Sequence, residues 1–402
     1  MVLGVLLALA ALSARDAPSG VVSEKSFLES ALRDQHVRAV LDEPLGIARA
    51  ERARASTLTN PEGSFDREAP DGAPRQDTWS LSWAPPLDGR HWAQDRAGRE
   101  GLKAAESRHT QSSVSLRAEL REAYANWALA MDGAAIGVRL AGMVDRLARR
   151  AAAQASKGEA SLLASRRLLL AQLEARSEAA RLTADLAHAR GRVRAWMPGL
   201  AADALPARPP LPLTPTDTSL WASSPRIAAL GHDVRQAEAT ASLAGRFWAL
   251  PELSIGQQSV RDDLGDIDGL TYGVRWGLPL FDRRQGDRLE SRARLAASRA
   301  RQALDARRMR EEFAAALTAY AALRESARLA SEAEPVVERV LASAAAMFEA
   351  GESDVTDLLE TLRGVLGGQI AVLESYRAAL AAHRELEVAA GRPLPLDEGD
   401  NR

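Results

Sequence analysis

The sequence predicts a mainly α protein with a small β part, in which one structural plan is written twice. Three observations predict it. First, words recur at a fixed offset. Thr78-Trp79-Ser80-Leu81-Ser82-Trp83 with Pro86-Leu87 returns 193 residues later as Thr271-Tyr272-Gly273-Val274-Arg275-Trp276 with Pro279-Leu280, and Gly158-Glu159 returns as Gly351-Glu352 at the same offset. Two landmarks that keep one spacing indicate a tandem duplication, so the fold is explained once per repeat. Second, Ala, Leu, Arg and Glu dominate the composition and favour helix over most of the length. Third, the recurring words are short, alternating and aromatic, which is the texture of strands.

The elements follow in order. Met1 to Ala14 is an apolar stretch ending in small residues, read as a signal peptide that lacks a positive start, the alternative being a buried N-terminal helix. Ser23 to Ala55 reads as a helix, and 60 to 77 as turn-rich and weakly strand-like. In the strand from Gln76 to Pro85, Trp79, Leu81 and Trp83 share one face and Ser80 and Ser82 the other. From about Gly89 to Ser156 no proline interrupts a helical pattern, whose length at ~1.5 Å per residue approaches about 100 Å. Lys157-Gly158 breaks it, and a second long helix runs from about Ala160 to Trp196. Five prolines between Leu205 and Thr218 mark an extended linker (201–222) between the repeats.

The programme then recurs. Pro225 to Trp248 is helical, Pro251 to Val260 is a strand, Asp262 to Gly269 is an acidic turn, and Leu270 to Leu278 is a strand with Tyr272, Val274 and Trp276 on one face. Helices run from about Arg283 to Ala350 and from Ser353 to Ala390, with Gly351 between them. The repeats thus occupy 23–200 and 223–393, and 394–402 is a polar tail.

Composition excludes several classes of function. A net charge of −2 gives no electrostatic case for nucleic acid. Cysteine is absent, which removes disulfides, thiol catalysis, thiolate metal sites and a lipidated N-terminal cysteine. The six histidines are scattered without an i, i+4 pair, and no HExxH, GxSxG, P-loop or dinucleotide-binding glycine word occurs. The acidic turn fails the calcium-loop test, because with Gly269 as position 6 the first and twelfth positions are Leu264 and Arg275. Neither an enzyme nor a cofactor or metal site is expected. Beyond the N-terminal stretch no run of about 18 apolar residues occurs, so no membrane-crossing helix is expected.

Strands of about 10 residues with aromatic ends and one apolar face suit a bilayer. Two repeats supply only about four of them, too few to close, and open edges are not tolerated in lipid. If they cross a membrane, several chains share one barrel, and a homotrimer supplies about twelve strands while bundling its long helices into a hollow cylinder.

Pro251-Glu252-Leu253, Tyr272-Gly273-Val274 through Gly277-Leu278-Pro279-Leu280-Phe281-Asp282-Arg283, and Phe348-Glu349-Ala350-Gly351-Glu352-Ser353-Asp354-Val355-Thr356-Asp357-Leu358-Leu359 resemble the signatures of TolC-like outer-membrane efflux factors. The similarity covers almost the whole chain and is strongest from Pro251 to Pro393; Lys157-Gly158-Glu159-Ala160-Ser161-Leu162-Leu163 is a weaker copy of the turn word. The resemblance implies a trimeric α-barrel in the periplasm under a shared 12-stranded β-barrel in the outer membrane, docked on a periplasmic adaptor and an inner-membrane pump. The run Gly-Leu-Pro-Leu-Phe-Asp-Arg is most similar to members paired with heavy-metal or other cation pumps.

The resemblance also assigns residues. Asp357 and Glu360, one turn apart on a helix face, match the acidic rings of the family's closed tip, which in a trimer form a cation-selective constriction; the alternative is ordinary solvated helix charge. Ser353 stands where some members carry a basic gate residue, so a basic latch is not expected. Gly158, Glu159, Gly351 and Glu352 fall at the adaptor-docking tip, the glycines as left-handed turns. Capping is the competing role for Glu352 and Asp354. Trp79, Trp83, Tyr272 and Trp276 read as lipid-facing or membrane-interface aromatics in the outer membrane, the alternative being the core of a soluble sandwich, and Arg275, on the opposite face from Tyr272, as a lumen residue. Phe247 and Trp248 fall at a helix-to-strand passage, and Pro86 and Pro279 at the returns from strand to helix. The alternative of another class is a soluble periplasmic helical scaffold or adaptor with long coiled hairpins.

Overall fold

The computed structural model describes residues 20–69, 71, 74–157, 161–246, 250–262, 265–278 and 280–394. The expected signal peptide, the tail beyond residue 394, Gly158, Glu159, Phe247, Trp248 and Pro279 lie outside the described residues. The chain forms two compact units, one of 41–110 and 222–308, the other of 1–40, 111–221 and 309–402, and each draws on both repeats.

The element order recurs as the duplication requires. The first copy contains β1 (Val21–Val22), α1 (Glu24–Arg33), α2 (Gln35–Ser56), β2 (Glu62–Glu68), β3 (Arg75–Trp83), α3 (Arg90–Ser156) and α4 (Leu162–Trp196). After β4 (Leu205–Pro206) and a short 3-10 turn come α5 (Pro225–Ala244), β5 (Glu252–Asp262), β6 (Gly265–Arg275), α6 (Gln285–Ala350) and α7 (Val355–Ala390). The expected single helix over 23–55 is two helices, because the Asp34 carboxylate accepts from the backbone N–H groups of His36 and Val37 and caps a new start. The helix expected to reach Trp248 ends at Ala244. The acidic segment is not all turn: 265–269 lies in β6.

In the unit holding 41–110 and 222–308, one antiparallel sheet has the order β2-β3-β5-β6. Polar bonds tie its helices together. Arg108 pairs with Asp233, His109 with Asp42 at 2.8 Å, and Arg299 with Glu238 at 2.8 Å. Hydrogen bonds from Arg235, His232 and Lys103 hold the Glu100 carboxyl at about 2 against the opposing effect of its burial.

The other unit is a helical bundle with alanine-rich seams. Phe27, Leu120, Tyr124, Trp127 and Val193 form one cluster, and Leu129, Ile136, Leu373, Tyr376 and Leu380 another. By length and composition α3 could cross a membrane, contrary to the expectation from sequence, yet most of its apolar stretch is buried inside the bundle and is core. The proline-rich linker is a fastened strap. Tyr124 donates to the carbonyls of Val22 and Ala207 (both 2.8 Å), Tyr376 to that of Pro209 (2.6 Å), and Tyr320 and Arg324 to that of Pro212.

Candidate functional site

The sheet has two chemically opposite faces, fixed by its register. Trp83, Leu253 and Val274 are in line across the strands, as are Leu81, Ile255 and Tyr272, and then Phe65, Trp79, Gln257 and Leu270. Paired residues point to the same side, so three successive rows build one apolar face. Its side chains are uncovered: Trp79 is 62% exposed, Tyr272 77% and Val274 72%. Nine large apolar groups on one open face exceed what water tolerates without a function. Phe65 packs against Trp79 with the rings tilted by 38° and their centroids 4.5 Å apart. The next row toward the hairpin ends is ionic, where Asp77 receives Arg67 at 2.7 Å and Arg75 at 3.2 Å.

The alternate residues make the opposite face polar. Ser64 and Ser80 share a hydrogen bond of 2.8 Å, and Ser82, Ser254, Thr78, Gln258 and Thr271 lie on the same side. Arg275 falls on this face, opposite Tyr272 and Val274, and its guanidinium meets Glu252 at 3.4 Å. Trp83 lies in the row nearest the helices, Trp79 and Tyr272 lie farther along the strands, and Trp276 follows the last residue of β6. The outer edges of β2 and β6 have no strand partner among the described residues.

The second site is the reversal between α6 and α7. Gly351 has φ +79°, and its N–H donates to Phe348 O at 3.1 Å while Glu352 N–H donates to Met347 O at 2.9 Å. These two bonds close the helix end in the way a left-handed glycine permits. The Asp354 carboxylate then accepts from the N–H groups of Thr356 and Asp357, which starts α7 and holds this carboxyl below its usual range. Asp354 is thus the cap; Glu352 precedes it and contributes its backbone to the turn.

Val355, Leu358 and Leu362 bury one seam of α7 against Leu140, Val144 and Leu147 of α3 and Leu168 of α4. This cluster brings α3 and α4 of the first repeat against the start of α7 in the second. Arg150–Glu349 at 3.0 Å and Arg363–Glu174 at 2.9 Å join the copies there, and Arg167 donates to Thr356. Asp357 and Glu360 project from the exposed side of α7, and among the described residues neither carboxylate has a hydrogen bond or ion pair. Their placement is compatible with a ring about an axis, and equally with solvated charge. Among the described residues no cluster of His, Asp and Glu is arranged to hold a metal.

Sequence reasoning missed Phe65 and the ionic row of Arg67, Asp77 and Arg75. The only signal was one aromatic in the otherwise polar Glu62–Glu68 word.

Comparison with known proteins agrees with this geometry. Residues 218–392 match the family model described as outer membrane efflux protein. The chain is 26% identical over 349 residues to the cobalt-zinc-cadmium resistance protein CzcC of Cupriavidus metallidurans, covering 83% of this chain and 82% of that one. Its fold is similar to that of CusC, with a TM-score of 0.76 at 17% identity over 92% of both chains. It is similar likewise to the outer membrane protein VceC of Vibrio cholerae, with a TM-score of 0.75 at 16% identity over 92% of this chain and 96% of that one.

Proposed function

We propose that this chain, which belongs to the TolC-like outer membrane efflux family, assembles as a homotrimer around one shared barrel and serves as the exit duct of a tripartite efflux system. The family is one of outer-membrane efflux channels whose helical part stands in the periplasm, and the chain is such a channel. The trimer, the adaptor, the pump and the gate are the proposal.

One observation carries it: a four-stranded sheet with an apolar face and two open edges. In the 11-residue β6 about five residues aim their N–H and C=O outward. Each such group costs several kcal/mol in hydrocarbon, so an open edge there costs tens of kcal/mol. Pairing β2 of one copy with β6 of the next removes the penalty, and three copies give twelve strands, an even number within the range of such barrels. The apolar face then meets lipid, with Trp79, Trp83, Tyr272 and Trp276 as its aromatics, and the Ser, Thr and Gln face with Arg275 lines water.

A duct performs no covalent chemistry; it selects by what lines it. In a trimer Asp357 and Glu360 become two stacked rings of three carboxylates, which favour cations at the narrow end. The turns at Gly351-Glu352 and Gly158-Glu159 are the surface offered to the adaptor. Small solutes, metal cations or drugs, then pass from periplasm to exterior. Metal cations are the favoured cargo, because the relative CzcC is named for resistance to cobalt, zinc and cadmium.

Planar-bilayer recording tests the gate. Replacing Asp357 and Glu360 with Ala is expected to raise the single-channel current or reduce its cation preference; an unchanged current and preference removes the assignment. Survival of a deletion strain on cobalt, zinc and cadmium salts, compared with hydrophobic drugs, tests the cargo.

A further inference from the structure

We propose that the turn leading from β6 into α6 is a docking surface for anionic glycerophospholipid headgroups in the leaflet nearest the helices. This rests on the reading that the apolar sheet face lies in lipid, and it adds a headgroup chemistry and the residues that select it.

Beyond Arg275 the chain presents Trp276, Leu278, Leu280 and Phe281 to the surface, and Phe281 is 92% exposed. Arg283 and Arg284 follow at once and are exposed; among the described residues neither guanidinium has a hydrogen bond or an ion pair. The turn is held by its own groups. Arg284 N–H donates to the Asp282 carboxylate at 2.8 Å, Arg283 N–H donates to Gln285 Oε1 at 2.9 Å, and Gln285 Nε2 donates to Phe281 O at 3.3 Å. Phe281 and the two arginines are therefore presented side by side from a backbone held over 281–285, where the apolar sheet face gives way to helix.

Arg284 also has φ +55°, the left-handed region, and is the one non-glycine residue with positive φ among those described. A side chain there carries a conformational cost. The residue just before α3 in the first copy is Gly89, with φ +76°, which adopts this region without that cost. The neighbouring Arg90 is bound within its own turn, its guanidinium 2.9 Å from Asp88. The second copy thus keeps a strained arginine where glycine suffices for the fold, and leaves it unengaged. Nearby carboxylates do not occupy it: Asp282 is taken by backbone, and Glu290 pairs with Arg294.

A phosphodiester is the ligand these features fit. Guanidinium groups bind phosphate oxygens through two donors, basic residues at a membrane surface attract anionic lipid, and an aromatic ring rests at the headgroup boundary. A zwitterionic headgroup brings its own cation beside the phosphate and competes less well.

The test uses the full chain reconstituted in nanodiscs containing equal phosphatidylglycerol and phosphatidylcholine, with native mass spectrometry of the retained lipid. The wild type is expected to retain phosphatidylglycerol with about a tenfold preference. The double variant Arg283→Gln, Arg284→Gly is expected to lose that preference without a lower melting temperature, because glycine relieves the left-handed φ. Equal retention of the two lipids by the wild type, or an undiminished preference in the variant, overturns the proposal. Failure of the wild type to enter nanodiscs overturns the lipid-facing reading with it, whereas insertion without preference overturns the headgroup assignment alone.

Discussion

Replacing Ile255 with Arg separates a lipid-facing sheet from a solvated one. Ile255 is 52% exposed in the middle apolar row, between Leu81 and Tyr272. On a water-facing surface such a change alters stability by no more than about 0.5 kcal/mol. On a lipid-facing barrel surface an arginine costs ~2–4 kcal/mol near the midplane and less toward the interfaces. Ile255 is three residues from the helix-side end of β5 at Glu252, or about 10 Å along the strand, so a cost of about 2 kcal/mol is expected, close to a thirtyfold change in the folding equilibrium. Gln258→Arg is the control, because Gln258 lies on the polar face opposite Thr78. The assay is reversible urea unfolding in lipid vesicles, with outer-membrane fractionation of both variants in cells. Equal stability and equal membrane recovery of Ile255→Arg and Gln258→Arg would refute the assignment of the two faces.

Two further outcomes follow from the helical unit. Gly351→Ala places a side chain at φ +79° where no atom lies within 4 Å of the new Cβ, so backbone strain alone should cost about 1 kcal/mol in thermal unfolding; no loss of stability contradicts the left-handed turn. Burial lowers the imidazole of His383 to about 4, against the pull of the Glu387 carboxylate 3.9 Å away and with Arg121 and Arg384 adding to the fall. The unfolded chain therefore takes up this proton first. Its contribution is complete above about pH 6.5 and lost as pH falls toward 4, by at most about 3 kcal/mol. Melting temperatures at pH 7 and pH 4.5 should fall more steeply for the wild type than for His383→Gln; parallel falls contradict this role.

Most of the sheet was legible because period-two alternation is a property of the chain itself: Trp79, Leu81 and Trp83, or Tyr272 and Val274, declare a face without reference to a partner. What escaped was set by particular side-chain contacts that alternation does not report. The charges of 265–269 suggest a loop, yet Ser259 donates to Asp268 and Arg261 faces Asp266 at 4.0 Å across the hairpin, so the strand extends through them. The Glu62–Glu68 strand has one large apolar residue, Phe65, whose reason is Trp79 on the neighbouring strand. The break at Asp34 escaped because the helical pattern continues across it, and only its side-chain bonds mark it. At the tip the glycine was readable at Gly351 from the repeated word, whereas the division of labour between Glu352 and Asp354 depends on which carboxylate reaches the first N–H groups of α7.

The decisive quantity is the number of chains in one particle. Native mass spectrometry or light scattering of the detergent-solubilised protein, corrected for bound detergent, measures it without reference to cargo or partners. A shared barrel predicts three times the mass of one chain, which is 43.1 kDa for these 402 residues. A single folded chain, stable in detergent with β2 and β6 unpaired, contradicts it.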